Sequence, residues 1–502
     1  MRIHSIHSIR KGDTVRRIGL LSCLCVLLSS SAWAAKGPKE IEYAAVLLDG
    51  KKIGHVIHTR KVEGDQVCTS DEMNLNISRA GVTLKISTTE TSIETLKGKP
   101  VGFEALQNIT GMKQTAIGTI NADGKVEVTI TSMGIPQKKV IDWPEGAVMA
   151  EGMRLLEMDK TLVKGSSYNT RVFSPSLLSA IDASVEVGGK ADVDLFGRVV
   201  RLTEIKVIMK TADSDIPTTS YVDENLDALK TIMPLMGMNM ELIACEKEFA
   251  LSEDDVVDFL DRMFVQCPAP LKDLSQDSGL VYTLAPKKDA KLKIPADDTQ
   301  AVKELADGKI QLTVKPAKAA AKVKFPYSGK DSQLIETLKP STYLQSDLEV
   351  IRDLAKQAVG NEKDAAAAAK KIESFVNKYI TQKDLSIGYA TAGEVAAGRQ
   401  GDCTEHAVLT AAMCRAAGIP ARVAVGLVYV DSFANREHVF GGHAWAQANI
   451  GGKWINLDAT RVPRENPAGY IMLGMGNGDP QDFFGMVNTL GCFTIESVEP
   501  AK

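Results

Sequence analysis

Gly401-Asp402-Cys403-Thr404-Glu405-His406-Ala407 decides how the C-terminal part of this chain is read. Gly442-His443-Ala444-Trp445 follows, and then Asn456-Leu457-Asp458-Ala459-Thr460. Cysteine, histidine and aspartate in that order can supply a thiol nucleophile, a base and a group that orients the base. Local patterns place each on an element. A helix begins at Cys403 and stops before Gly418-Ile419-Pro420, where glycine ends it and proline cannot continue it. Ala421–Val430 is an apolar run of central-strand type, and Asp431–Val439 reads as a loop. His443–Ile450 and Lys453–Thr460 form a hairpin across Gly451-Gly452.

A thiol attacks as thiolate, and a free cysteine, with a pKa of about 8.5, is mostly protonated at neutral pH. The N-terminus of a helix and a nearby imidazole both favour the anion. Cys403 has the first by position, and Gly401 leaves room for an oxyanion site at the Cys403 amide. Register supplies the second. With Ile450 opposite Lys453, His443 faces Thr460 and Trp445 faces Asp458, all on one side of the hairpin. His443 and Asp458 are then diagonal neighbours, roughly 7 Å apart at Cβ. A slip of one residue would put them on opposite faces.

These blocks resemble the transglutaminase-like superfamily, related to papain-like enzymes. Arg415-Ala416-Ala417-Gly418-Ile419-Pro420-Ala421-Arg422-Val423 and Trp454-Ile455-Asn456-Leu457-Asp458-Ala459-Thr460 extend the likeness, which covers about Ser346 to Val462. The resemblance implies Cys403 as nucleophile, His443 as base and Asp458 as orienter. Gly401, Asp402, His406 and Trp445 are, from their positions, candidates to shape the site. It departs at Ala459, where many members carry proline; that position contributes backbone shape and no proton chemistry. Nothing resembles the calcium sites of animal transglutaminases, so neither metal nor cofactor is expected. Zinc on Cys403, His406, His438 and His443 is a competing reading that lacks the usual second cysteine pair. Trp445 and Trp454 could line an acyl-donor groove or belong to the core.

Upstream, Ser346-Asp347-Leu348-Glu349 has the form of a capping box, opening a helix that runs to Val359 and stops at Gly360. A second helix spans about Lys363 to Ile380, with Ile372, Phe375, Val376, Tyr379 and Ile380 as a buried stripe. From Glu40 to about Leu242 the pattern is strand. Val126-Glu127-Val128-Thr129-Ile130 and Leu84-Lys85-Ile86-Ser87 alternate as half-buried antiparallel strands do. Asp49-Gly50, Asp123-Gly124 and Gly188-Gly189 read as turns. A short helix is expected over Ser174–Ile181, with Ser174 as cap, and another from Ser252-Glu253-Asp254-Asp255 to about Phe264. Gly279 to about Val323 reads as further strands.

The chain has 502 residues, enough for two or three domains. Arg2, Arg10, Lys11, Arg16 and Arg17 precede the apolar run Ile18–Leu28, and Ala32-Trp33-Ala34 follows it. That is the form of a secretory signal peptide cleaved after Ala34; Cys23 after Leu20-Leu21-Ser22 matches a lipidation site poorly. Removing it takes away a net four positive charges from a chain of net −4, leaving the rest near −8. Such a chain lacks the electrostatic footprint of a nucleic-acid binder, and no later stretch is apolar enough to anchor it in a membrane. Cys68, Cys245, Cys267, Cys403, Cys414 and Cys492 remain, with Cys245–Cys267 the one pairing singled out.

The expectation is an α+β protein with a β-rich antiparallel N-terminal region and a C-terminal transglutaminase-like domain. Its parts are a signal peptide over 1–34, a β-rich domain over 35–250, a short helix, linker and additional strands over 251–335, and the transglutaminase-like domain over 336–502. It would be exported to the periplasm or beyond. It would act on protein or peptide amides through a cysteine thioester, with hydrolysis, as by a peptidase or amidase, favoured over amine transfer. The competing function is a non-catalytic envelope binding or assembly factor that works through its β-rich region.

Overall fold

The computed structural model describes residues 39–501, except 80–81, 110–111, 133–134, 160–162, 211–214, 236, 256, 259–263, 277, 288–289, 291, 321, 384–389, 434–435, 464–465, 479–485 and 487–488. The signal-peptide reading of 1–34 lies outside the described residues.

The β-rich region is one 15-stranded sheet. From Lys39–Leu48 at its middle, antiparallel hairpins run one way to Ile135–Asp142. They run the other way through Met238–Ala244 to Ser167–Ser174. The segment after Ile135–Asp142 reaches the opposite edge: Val148 N–H donates to Arg171 O at 2.9 Å, and Phe173 N–H to Val148 O at 2.9 Å, an isolated bridge to Ser167–Ser174. The sheet therefore curls on itself, and this bridge covers part of the edge at Ser167–Ser174. Alternation explains what it encloses, with Val126, Val128 and Ile130 buried between exposed or half-buried neighbours. Asp49-Gly50 and Asp123-Gly124 turn the chain, with Gly50 and Gly124 at φ 81° and 78°.

Three local expectations are corrected. Gly188-Gly189 is no turn but a bulge inside the long strand Ser179–Leu195, whose register against Arg198–Lys210 shifts between Val187 and Lys190; the reversal comes at Phe196-Gly197. Ser174–Ile181 is not helical. Ser174 Oγ caps only a turn, accepting from Leu177 N–H at 3.3 Å, and Leu178 sits at φ 51° before the next strand starts at Ser179. The Ser252–Asp255 cap starts no helix. The helix lies earlier, at Lys247–Ala250, and Asp254 instead takes an ion pair from Lys52 and a 2.6 Å hydrogen bond from Asn76 Nδ2. Val257–Asp258 then pairs with the sheet, while 259–263 lie outside the described residues.

The C-terminal region packs the helices Glu349–Val359, Ala365–Tyr379, Ala392–Gly398 and Cys403–Ala416 against a five-stranded sheet. Its strands are Phe264–Gln266, Arg436–Ile450, Ala421–Phe433 and Tyr470–Gly476 in that order, with Lys453–Leu457 also on Arg436–Ile450. The strands on either side of the expected 431–439 loop continue through Phe433 and from Arg436. Gly360, at φ 58°, ends the first helix as expected, but no side chain caps its start: the N-cap is Leu348, so the Ser346 box does not form. In the second helix Ile372, Val376 and Ile380 are buried, with Phe375 and Tyr379 half-buried beside them. A third, four-stranded sheet joins Leu280–Pro286, Gln300–Glu304 and Ile310–Val314 to the C-terminal strand Phe493–Pro500. Cys245 belongs to the large sheet, bonded to Tyr43 O, and Cys267 to the C-terminal one, bonded to His438 O. The expected Cys245–Cys267 bridge is absent, and all six cysteines among the described residues are free thiols. No described helix is long and apolar enough to cross a membrane.

The curled sheet encloses charge. Arg60 and Arg154 both bind Glu151, and Glu94 accepts from the Glu151 and Gly152 amides at the start of the helix Ala150–Met158. Glu90 accepts from Ser174 Oγ and Ser176 N–H, both at 3.1 Å. Burial pushes Glu90 and Glu94 up to about 7. Their folded pKa lies above the unfolded value of 4.5, so the native state binds the extra proton, and stability falls as pH rises from about 4.5 through about 7. Glu90→Gln keeps an acceptor and removes the titration. Chemical denaturation from pH 5 to 8 is expected to show a flatter stability profile than wild type, by roughly 3 kcal/mol across the range.

Candidate active site

Cys403 is the first residue of its helix, and the backbone before it is fixed from both sides. Asp402 Oδ1 accepts from Thr404 N–H at 2.9 Å, while Glu405 Oε2 accepts from Asp402 N–H at 2.9 Å: a reciprocal capping box. Glu405 Oε1 also takes Ala390 N–H at 3.0 Å. Burial, with Asp402 beside it, holds the Glu405 carboxyl well above the usual range. Gly401, at φ 149°, packs directly on this carboxylate's stem; a Cβ there would stand 2.3 Å from Glu405 Cβ. Its glycine thus serves the cap first. The spacing Asp402-x-x-Glu405 was the available sequence signal for this box.

His443 lies on Arg436–Ile450, and Asp458 directly follows Lys453–Leu457. Ile450 pairs with Lys453 and Ala446 with Leu457, the register the hairpin reading required. His443 Nε2 and Asp458 Oδ2 are 2.9 Å apart. With Nε2 on Asp458, the ring's other nitrogen remains for Cys403, whose side chain interacts with the His443 ring. Burial alone would lower the His443 pKa. The Asp458 charge and hydrogen bond, followed by Cys403, outweigh it and raise the value to about 10. Burial likewise opposes ionisation of Asp458, but His443, Thr460 and Tyr470 hold its carboxyl well below the usual range.

The groups around Asp458 come from near and far along the chain. Tyr470 Oη donates to Oδ2 at 2.7 Å. Thr460 donates to Oδ1 from Oγ1 at 2.5 Å and from its amide at 3.0 Å. Asp458 N–H donates to Glu373 Oε1 at 2.6 Å. Tyr470 and Glu373 were missed from sequence. Neither belongs to a local pattern with Asp458.

His406, Trp445 and His438 have other places. His406 is 1% exposed; its Nδ1–H donates to Asp402 O at 2.6 Å, and burial lowers its pKa. Trp445 is also 1% exposed, so it is core and not a groove wall. Its indole Nε1–H donates to Asn456 Oδ1 at 2.9 Å, and its ring lies parallel to His443 and edge-on to Tyr470. Trp454 carries Arg422 over its ring at 4.0 Å. His438 faces Tyr429 Oη at 3.0 Å. Cys414 is core, its thiol pushed by burial to about 12.

Residues 352–459 match the transglutaminase-like superfamily model, and this segment is a transglutaminase-like domain. Members of that superfamily are typically cysteine-dependent enzymes. No curated protein matches the chain. Among solved structures, a candidate cysteine protease from Cytophaga hutchinsonii is similar at 19% identity and TM-score 0.30, over 48% of this chain and 85% of its own. A β-barrel-like protein of unknown function from Brucella abortus is similar at 12% identity and TM-score 0.32, over 42% and 96%. A candidate protease from Parabacteroides distasonis is similar at 13% identity and TM-score 0.19, over 70% and 64%.

The His443–Asp458 pair sets a pH window for stability. The raised His443 value gives a contribution complete below about 6.5 and lost as pH rises through about 10. The depressed Asp458 value gives one complete above its ordinary 3.8 and lost as pH falls below it. Asp458→Asn is therefore expected to cost most between these limits, about 3 kcal/mol, with the deficit narrowing toward both extremes. Denaturant melts of both proteins from pH 3 to 10 check this; a deficit independent of pH counts against the ion pair.

Proposed function

We propose that the protein is an exported thiol enzyme that cleaves amide bonds of proteins or peptides through a Cys403 thioester. What carries this reading is one contact set: Cys403 at the first turn of a helix, against a His443 ring whose far nitrogen is bonded to Asp458. With its pKa raised to about 10, His443 stands as an imidazolium beside the sulfur, which attacks the carbonyl carbon as thiolate. Negative charge develops on the carbonyl oxygen, for which the Cys403 amide at the helix start is the candidate donor. The tetrahedral intermediate collapses as His443 gives its proton to the leaving nitrogen, so the C–N bond breaks and a thioester remains. His443 then takes a proton from water, hydroxide adds to the thioester carbon, and the C–S bond breaks to release the acid, leaving the thiolate and the imidazolium as they began. Hydrolysis is favoured because Cys403 is partly open to solvent and water needs no dedicated site. An amine in its place would give a cross-link. Export rests on the signal-peptide form of residues 1–34.

Iodoacetamide labelling tests the site. Cys403 is expected to react about tenfold faster near neutral pH than in His443→Ala. A rate equal to that of an ordinary free cysteine would favour the non-catalytic envelope factor instead. Mass spectrometry of exported proteins incubated with wild type or Cys403→Ala separates the outcomes. Cleaved or deamidated chains support hydrolysis, whereas joined chains show transfer.

A further inference from the structure

The segment Asp297–Gln300 lies outside the family-matched residues, yet it bonds to four of the five strands that carry the site. Asp297 Oδ2 accepts from Arg422 Nη2 at 2.7 Å and from Gln447 Nε2 at 3.0 Å, reaching Ala421–Phe433 and Arg436–Ile450. Its other oxygen is occupied by the Thr299 amide and hydroxyl, both at 2.7 Å. Asp298 Oδ2 accepts from Trp454 N–H at 2.9 Å, reaching Lys453–Leu457. Gln300 grips Tyr470–Gly476 twice: Oε1 accepts from Met472 N–H and Nε2 donates to Met472 O, each at 2.8 Å.

Both arms end at the same place. Gln447, fixed by Asp297 and Arg422, donates to Asn456 Oδ1 at 3.0 Å. That oxygen also accepts from Trp445, whose ring packs against both His443 and Tyr470. Gln300 holds the strand two residues from Tyr470, which shares Asp458 Oδ2 with His443. Asp297 and Gln300 are themselves buried, so these bonds compete little with water.

We propose that Asp297–Gln300 is a positioning element for the His443–Asp458 pair, with Gln300 its principal residue. The proposal rests on the roles assigned above to Cys403, His443 and Asp458. A clamp that only docked two sheets would affect melting. One that sets the strand bearing Tyr470 also controls how firmly Asp458 holds the imidazolium beside Cys403.

The test follows iodoacetamide labelling of Cys403 against pH in the full chain, with melting curves alongside. Gln300→Met keeps length and removes both bonds to Met472. It is expected to slow labelling at neutral pH by about tenfold and to move the pH profile toward that of His443→Ala. Gln300→Glu, which restores an acceptor for Met472 N–H, should recover part of the rate. Where Gln300→Met does not fold, Asp297→Asn gives the same readout through the other arm. A wild-type rate and profile in a folded variant, even with a lowered melting point, overturns the proposal. A wild-type protein without His443-dependent labelling overturns the reading of the site itself.

Discussion

A carboxylate buried to 1% exposure cannot stay ionised without donors, and Asp458 is supplied with them from every side. His443 and Tyr470 meet one oxygen, and Thr460 meets the other twice. The saturated carboxylate is worth more to the site than the same group in water. It has one orientation, and its charge acts on the imidazole through little intervening solvent. The raised pKa of His443 follows from that arrangement, and the buried Trp445 ring packs against both His443 and Tyr470. Gly426, opposite His443, lets the next strand approach so closely that a Cβ would stand 2.0 Å from Ile471 O. That approach brings Tyr470 within reach.

The helix start and the hairpin answer to different forces, which is why both were legible in the sequence. Gly451-Gly452 fixes a two-residue turn, and a turn fixes register; the face shared by His443 and Asp458 then follows by counting. Gly418 ends the Cys403 helix for equally local reasons. Tyr470, Glu373 and the Asp297 clamp could not be reached in this way. They join Asp458 and its strands through packing, across separations that no periodicity encodes.

The misread segments show where local preference loses. Ser252-Glu253-Asp254-Asp255 has the composition of a helix start, but Asp254 gains more from Lys52 and Asn76 than from orphan amides. Ser346 is buried and is not at the cap of the first helix. Gly188-Gly189 supplies the freedom a turn needs, and the sheet uses it to shift register inside a strand of 17 residues. In each case the sequence offered a conformational option, and a distant partner selected another.

The two sheets show opposite ways of keeping charge inside a protein. In the large sheet, Glu90 and Glu94 face mostly backbone amides and hydroxyls, and burial wins: both are pushed up to about 7 and can shed their charge. At Asp458 a cationic partner and three further donors win, and the charge is kept. The difference is a matter of what stands opposite, since all three carboxylates are buried. A group that yields its charge to burial tolerates a change of pH by taking up a proton. One that keeps its charge needs every donor in place, and so depends on strands that only distant contacts can hold.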